Sequence, residues 1–456
     1  MAKRSRGGSR QAELVPRSRR SIVDVDPMHP LIILADRLDW TELFEIAQKV
    51  RRQKLKNLAG RPPHLRAMIG AVILMATRNM TYRDAEDQIR DYAPARYLCG
   101  LTETDWTPDF TTIQDFTQLM GEEGLKALNE YAVGLAVGEG RADPYLMVAD
   151  TTAQEAAIPY PNEIGLLGQF VSVVAKASKK AGGALKEFVK KARSKVEKVK
   201  KKVRAHRLFA KTKEAKDKLL GEVVAVVAGL QGQLAKAIQK AIVGSRRLQG
   251  RAKLAHAKVV QVHETMKKLL PQIRHWLASG HVAAGKIISL HIPDLYSIVR
   301  GKAGKKVEFG LKWGISRLKG GYILVTLAKN KKDMVDTKFA LDAVRQHKEL
   351  FGSVPEKYGF DRGGYSQENV SDLREMGVKE VGLAPRGKAN WEVRGRMKER
   401  LVNERARVEG SIGTIKSRKY GFNRPAARSV EMMGACGQRA AFGFNLSKLA
   451  KDIAQM

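Results

Sequence analysis

Apolar residues recur at helical spacing through the first part of the chain. Leu31, Ile32, Leu34 and Ala35, then Leu43, Phe44, Ile46 and Ala47, mark one face every three or four residues, the pattern of an amphipathic helix. Gly60-Arg-Pro-Pro63 breaks the pattern, and Pro62 or Pro63 suits the first turn of a following helix. Residues 65–76 are apolar enough for a buried helix. Thr81 is placed to cap another, because its side-chain oxygen can accept from a first-turn amide. Residues 107–116 make a further start, with Pro108 near the first turn. Residues 28–140 therefore read as helical. Short helices and tight turns fit a helix-turn-helix DNA reader, and they fit a plain bundle equally well.

The pattern then changes. Residues 145–149 form an apolar run that predicts a buried strand ending on Asp150. Residues 163–284 return to helical spacing. Leu185, Phe188, Val189, Ala192, Val196, Val199 and Val203 make one stripe; Leu219, Leu220, Val223, Val227, Leu230, Leu234 and Ile238 a second; Met266, Leu269, Leu270, Ile273 and Trp276 a third. Such stripes describe long helices packed on one another. Strand character follows at 286–291, 306–313 and 322–328, then a helix at 336–350. A short strand at 355–360 ends on Asp361, a helix is expected at 366–376, and a strand at 378–384. From about Val393 the chain reads as helical again. The expectation is a mixed α/β core, interrupted after its first strand by the helical block.

Charge sharpens this picture. Of 456 residues, 83 are Lys or Arg and 47 are Asp or Glu, a formal charge of +36. Such an excess points to a polyanion, nucleic acid before an anionic membrane. Residues 171–280 alone hold 28 basic side chains against 6 acids, which favours a phosphate-backbone contact surface over a merely solvated face. Residues 1–27 are rich in Arg, Ser and Gly and read as a disordered tail. Cys99 and Cys436 provide no disulfide framework, in keeping with a reducing compartment. The longest apolar run, residues 68–75, is too short to span a bilayer. The basic N-terminus lacks an apolar signal region, so a cytoplasmic location is expected.

Candidate chemistry lies in three acids. Asp150 and Asp361 each follow a short apolar strand. Glu409 stands in a predicted helix, where Arg405, Glu409, Ile412 and Lys416 recur on one face. That face is either a surface salt-bridge ladder or an acid kept ionised between cations. Three carboxylates brought together can hold two hard cations, which act in line at a phosphodiester. Asp143 and Glu155 are alternatives for the first acid, Glu404 and Glu399 for the third. No phosphate-binding glycine loop with its lysine is present, so nucleotide hydrolysis has no support.

Asp150-Thr-Thr, Tyr358-Gly-Phe-Asp-Arg-Gly363 and the Arg405/Glu409/Lys416 spacing together resemble the DDE transposases of bacterial insertion sequences. The branch is the one marked by a Tyr-Arg-Glu-Lys signature, whose tyrosine position is held here by Val402. The segments at 29–31, 60–63, 111–116, 307–312 and 441–446 are also similar to that branch. The resemblance implies an RNase H-like catalytic domain at 141–162 and 285–456, an N-terminal DNA-binding domain at 28–140 and a basic helical insertion at 163–284. It implies Asp150, Asp361 and Glu409 as ligands of two Mg²⁺ or Mn²⁺ ions. Arg405 and Lys416, with Arg362, Arg386 and Lys388, become the expected phosphate-binding residues. The implied partners are double-stranded DNA, as element ends and target, and a second copy of the chain, with no membrane. The implied activity is strand cleavage and strand transfer in the bacterial nucleoid. A nuclease without strand transfer, or a catalytically dead DNA-binding protein, is the alternative.

Overall fold

The protein is described by a computed structural model covering residues 25–55, 63–245, 248–299, 307–385 and 393–455. Most of the expected tail, Pro62, Arg386 and Lys388 lie outside these residues.

Capping side chains set the first helices. His29 Nδ1 accepts from the Leu31 amide at 3.2 Å, and Pro30 opens α1 (Pro30–Arg37). Asp39 accepts from Thr41 N at 2.8 Å and starts α2 (Trp40–Lys54). α3 (Leu65–Arg78) is capped by His64, so Pro63 precedes the helix and does not occupy its first turn. Thr81 forms a capping box with Asp84 at the head of α4 (Tyr82–Asp91), as its position predicts. A short α5 (Ala93–Leu98) leads to α6 (Phe110–Gly138), capped by Asp109 and kinked at Gly121, where φ is 57° and ψ is −159°. Every residue of α3 from Ala67 to Thr77 is buried, because this helix is apolar all round and is walled by its neighbours.

One sheet holds β1 (Asp143–Glu155), β2 (Tyr296–Val299), β3 (Val307–Lys319), β4 (Ile323–Leu327), β5 (Lys357–Phe360) and β6 (Glu380–Leu383). Its order is β2-β3-β1-β5-β6, with β4 paired to β3. β1, β5 and β6 are mutually parallel neighbours, whereas β3 is antiparallel to β2 and to β4. α11 (Asp336–Phe351) precedes β5, and α12 (Gln367–Glu375) crosses from β5 to β6. α13 (Gly395–Ile415) and α14 (Val430–Ala454) close the chain. The result is the expected α/β class with a mixed sheet and many flanking helices.

Two expectations about strands need correction. β1 does not end on Asp150 but continues to Glu155. Residues 286–291 form no strand. Their apolar side chains are buried, but the Ile287 amide donates to the Gln272 side chain at 3.0 Å instead of to a neighbouring strand.

The described residues divide into two compact units. The first joins the chain up to Thr152, residues 312–425, and the chain from Glu431 on. Its α14 is tied to the sheet by a buried carboxamide. Asn445 Oδ1 accepts from Ile323 N at 2.9 Å, and its Nδ2 donates to Ile323 O and to Asn129 of α6, each at 2.8 Å. The side chain therefore stands in for a neighbouring strand at β4. α14 also lies so close to α3 that a Cβ on Gly443 would meet Ala76 O at 2.0 Å, and only glycine fits there.

The second unit holds residues 153–311 and 426–430. It is built on α7 (Glu163–Ala181), α8 (Gly183–Leu208), α9 (Lys213–Ser245) and α10 (Gly250–Ser279). The three apolar stripes meet in a single core, with Leu185, Val199, Val223, Val227, Met266 and Ile273 all buried. Contrary to the run-length expectation, the Lys213–Ala241 part of α9 is long and apolar enough to cross a membrane. Its Leu220, Val227 and Leu234 are buried in the bundle.

Candidate active site

The site begins with strand register. β1 and β5 pair from Leu146↔Lys357 to Ala149↔Phe360. Asp150 is the next residue of β1, and Asp361 is the first residue after the end of β5. Parallel neighbours stand about 4.8 Å apart, so the register itself sets the two aspartates side by side. Gly359 and Gly382 beneath them leave room for the Leu401 side chain of α13. Leu401 and Val408 pack on Leu146 and Val148, which fixes that helix across the strands.

The two carboxylates differ in setting. Asp150 Oδ1 accepts from Thr151 N at 2.6 Å. Burial, then the charge of Asp361, pushes the Asp150 carboxyl up to about 6, although Arg405 pulls it down. Asp361 Oδ1 accepts from Gly363 N at 2.5 Å and opens the turn Arg362–Gly364. Arg362 is exposed beside it. Two acids of which one is reluctant to ionise suit a divalent cation, which would favour the charged form of both.

Asp336 is the residue that sequence reasoning missed. It lies in the first turn of α11 and accepts from Thr151 Oγ1 at 2.9 Å. Its Oδ1 also pairs with Lys312 Nζ at 2.7 Å, and its charge contributes to raising Asp150. A Cβ on Gly363 would meet Asp336 Oδ2 at 2.5 Å and Asp361 Oδ1 at 2.9 Å, so both carboxylates crowd this glycine. An acid in a helix's first turn was the only signal, and that position alone reads as a helix-dipole effect.

α13 carries the remaining candidates. The stretch is helical throughout, despite Gly410 and Gly413. Arg405 acts on Asp150, and Lys416 Nζ donates to Thr152 Oγ1 at 3.3 Å, so both cations reach β1. Glu409 lies on the turn between them and is exposed. Among the described residues it enters no ion pair, and no three His, Cys, Asp or Glu stand together as a metal-holding group. Glu404, the alternative third acid, is buried in ion pairs with Arg317 and Arg407, each at 2.5 Å. Asp143 is taken by Lys319 at 3.0 Å, and Glu399 is exposed.

In the second unit, Glu187, Glu197, Glu222 and Glu264 are each paired with a lysine. The 28 basic residues of this block far outnumber those partners, so the basic excess is left facing solvent.

Comparison with curated proteins and with solved structures returns no match. Residues 21–119, a stretch that includes α1 to α5 and the start of α6, match the family model described as Transposase domain (DUF772).

Proposed function

We propose that the chain is a DDE-type DNA transposase with an RNase H-like core. It would cut phosphodiesters at the ends of its element and join the exposed 3′-hydroxyl to target DNA. The observation that carries this reading is the placement of Asp150 within β1 and Asp361 directly after the parallel neighbour β5, each one step beyond Ala149↔Phe360. The transposase-domain match and the formal charge of +36 support DNA as the substrate. The mixed sheet with helices on its flanks is in keeping with the RNase H-like core.

Asp150 and Asp361 would hold Mg²⁺ or Mn²⁺, with Glu409 as third ligand from the facing helix. When bound, two such ions supply activation of the attacking oxygen and charge stabilisation at the leaving oxygen. The chain's own residues do the rest. Thr151 is tied to Asp336, and Asp336 to Lys312, which holds the backbone at Asp150 in place. Arg405 and Lys416 supply positive charge along the face where a scissile phosphate would lie. Arg362 adds another cation next to Asp361.

The test is an assay with labelled element ends, a second DNA and Mg²⁺. Wild type yields joined products; Asp361→Asn and Glu409→Ala lose cleavage while DNA binding stays within about twofold. Retained cleavage in either variant removes that residue from the site. Cut ends that are never joined would establish the nuclease alternative.

A further inference from the structure

We propose that a pocket in the second unit binds a nucleotide bearing a phosphomonoester, either free or as the 5′ end of a DNA strand. The pocket encloses about 620 Å³, within the range of small-ligand sites. Ile158, Pro161 and Leu166 give it apolar walls, and the exposed ring of Tyr160 stands at its rim. Four basic side chains enter from separate parts of the chain: Arg207 from α8, Lys258 from α10, His291 from the segment after α10, and Arg428 from residues 426–430. No Asp or Glu lines the pocket.

These cations have no acid to answer them. Among the described residues, Arg207, Lys258 and Arg428 enter no ion pair, and Lys258 donates to Gln261 at 2.8 Å. The adjacent Glu163 is engaged by Lys286 at 2.5 Å. The crowding registers in the side chains themselves: burial lowers the Lys258 and His291 pKa values, and the charges of Lys258 and Arg428 lower His291 further. Arg207 lies against Gly165 in the first turn of α7, so the guanidinium and the start of that helix share one side of the pocket.

An anion relieves this repulsion. A phosphomonoester carries a charge of about −1.5 to −2 at neutral pH. It answers three convergent cations better than the single charge of an internal phosphodiester. Tyr160 and the apolar wall offer a surface for a base, since every base has a face that can stack. None of Asp150, Asp361 and Glu409 lines the pocket, so the proposal stands or falls apart from the metal chemistry.

The experiment uses the full chain without divalent metal. Affinity is measured by fluorescence anisotropy for a short single strand with a 5′-phosphate and for the same strand with a 5′-hydroxyl. The phosphorylated strand is expected to bind about tenfold more tightly. Lys258→Gln combined with Arg428→Gln removes that preference and leaves the hydroxyl strand within about twofold; the exposed Arg207→Gln reduces the preference on its own. Deoxyadenosine monophosphate then separates the sources. Displacement of the phosphorylated strand by the nucleotide, but not by deoxyadenosine, assigns a free-nucleotide site. A preference that resists the nucleotide assigns the strand end. Equal affinity for the two strands, or a preference that survives both the double variant and Arg207→Gln, overturns the proposal.

Discussion

Asp150 keeps its proton to a pH at which an ordinary aspartate has lost it, and this couples stability to acidity in an unusual direction. Its carboxyl is raised from 3.8 to about 6 in the fold. Between these values the folded chain binds more protons than the unfolded chain, so this group's contribution falls as pH rises through that window. The full span corresponds to about 2–3 kcal/mol. Asp150→Asn should therefore match wild type in urea unfolding near pH 4. In metal-free buffer at pH 7.5 it should be more stable by about 2 kcal/mol, the familiar opposition between stability and site function. Equal stability of the two at pH 7.5 would show that Asp150 is not strained. Mg²⁺ should raise the melting temperature of wild type, but much less that of the variant, in a thermal-shift measurement at the same pH.

Single elements show how chain position becomes role. On α13, Glu404 and Glu409 are five residues apart and meet different surroundings. Glu404 is buried between Arg317 and Arg407; Glu404→Ala should cost about 3–5 kcal/mol, since it strands a buried guanidinium. Glu409→Ala, on the exposed side, should change stability by less than about 0.5 kcal/mol. Chemical denaturation of the pair checks both values. At β4, Asn445→Ala leaves the Ile323 amide without its acceptor and the Ile323 carbonyl with only Asn129 Nδ2 at 3.4 Å, and should cost about 1–3 kcal/mol by the same measurement. Much of this architecture is legible in the sequence. Helix starts are readable because caps act locally, as at Thr81, and helix faces because stripes such as Leu185 to Val203 are periodic. The overrun of β1 is not readable, because Thr151, Thr152 and Gln154 are polar yet buried, and no alternation marks them. The loop at 286–291 imitates a strand because its isoleucines face a core, and which partner takes the Ile287 amide is a tertiary fact. Asp336 escapes notice for the same kind of reason: its meaning depends on Lys312 and Thr151, both remote in sequence.

At the scale of the molecule, charge is partitioned by unit. Lys191, Lys195 and Lys198 are exposed on α8, and the acids near them are too few to neutralise the bundle. Replacing all three with Gln should weaken binding to unrelated DNA sequences about equally. It should also flatten the slope of log K against log salt by about 0.9 for each phosphate no longer neutralised. A titration across a range of salt concentrations measures this directly. An unchanged slope would mean that DNA does not lie on this face.

The adjacency of Asp150 and Asp361 has a further consequence in time. The two residues are neighbours through strand pairing, yet the whole helical bundle is synthesised between them. A ribosome adding about 5–20 residues per second needs roughly 10–40 s to travel from the first aspartate to the second, and longer to reach Glu409. During that interval β1 lacks its β5 partner. The pairing of Asp150 with Asp361 is therefore completed late in the birth of the protein, and a nascent or truncated chain ending before β5 carries the basic bundle without that pair of carboxylates.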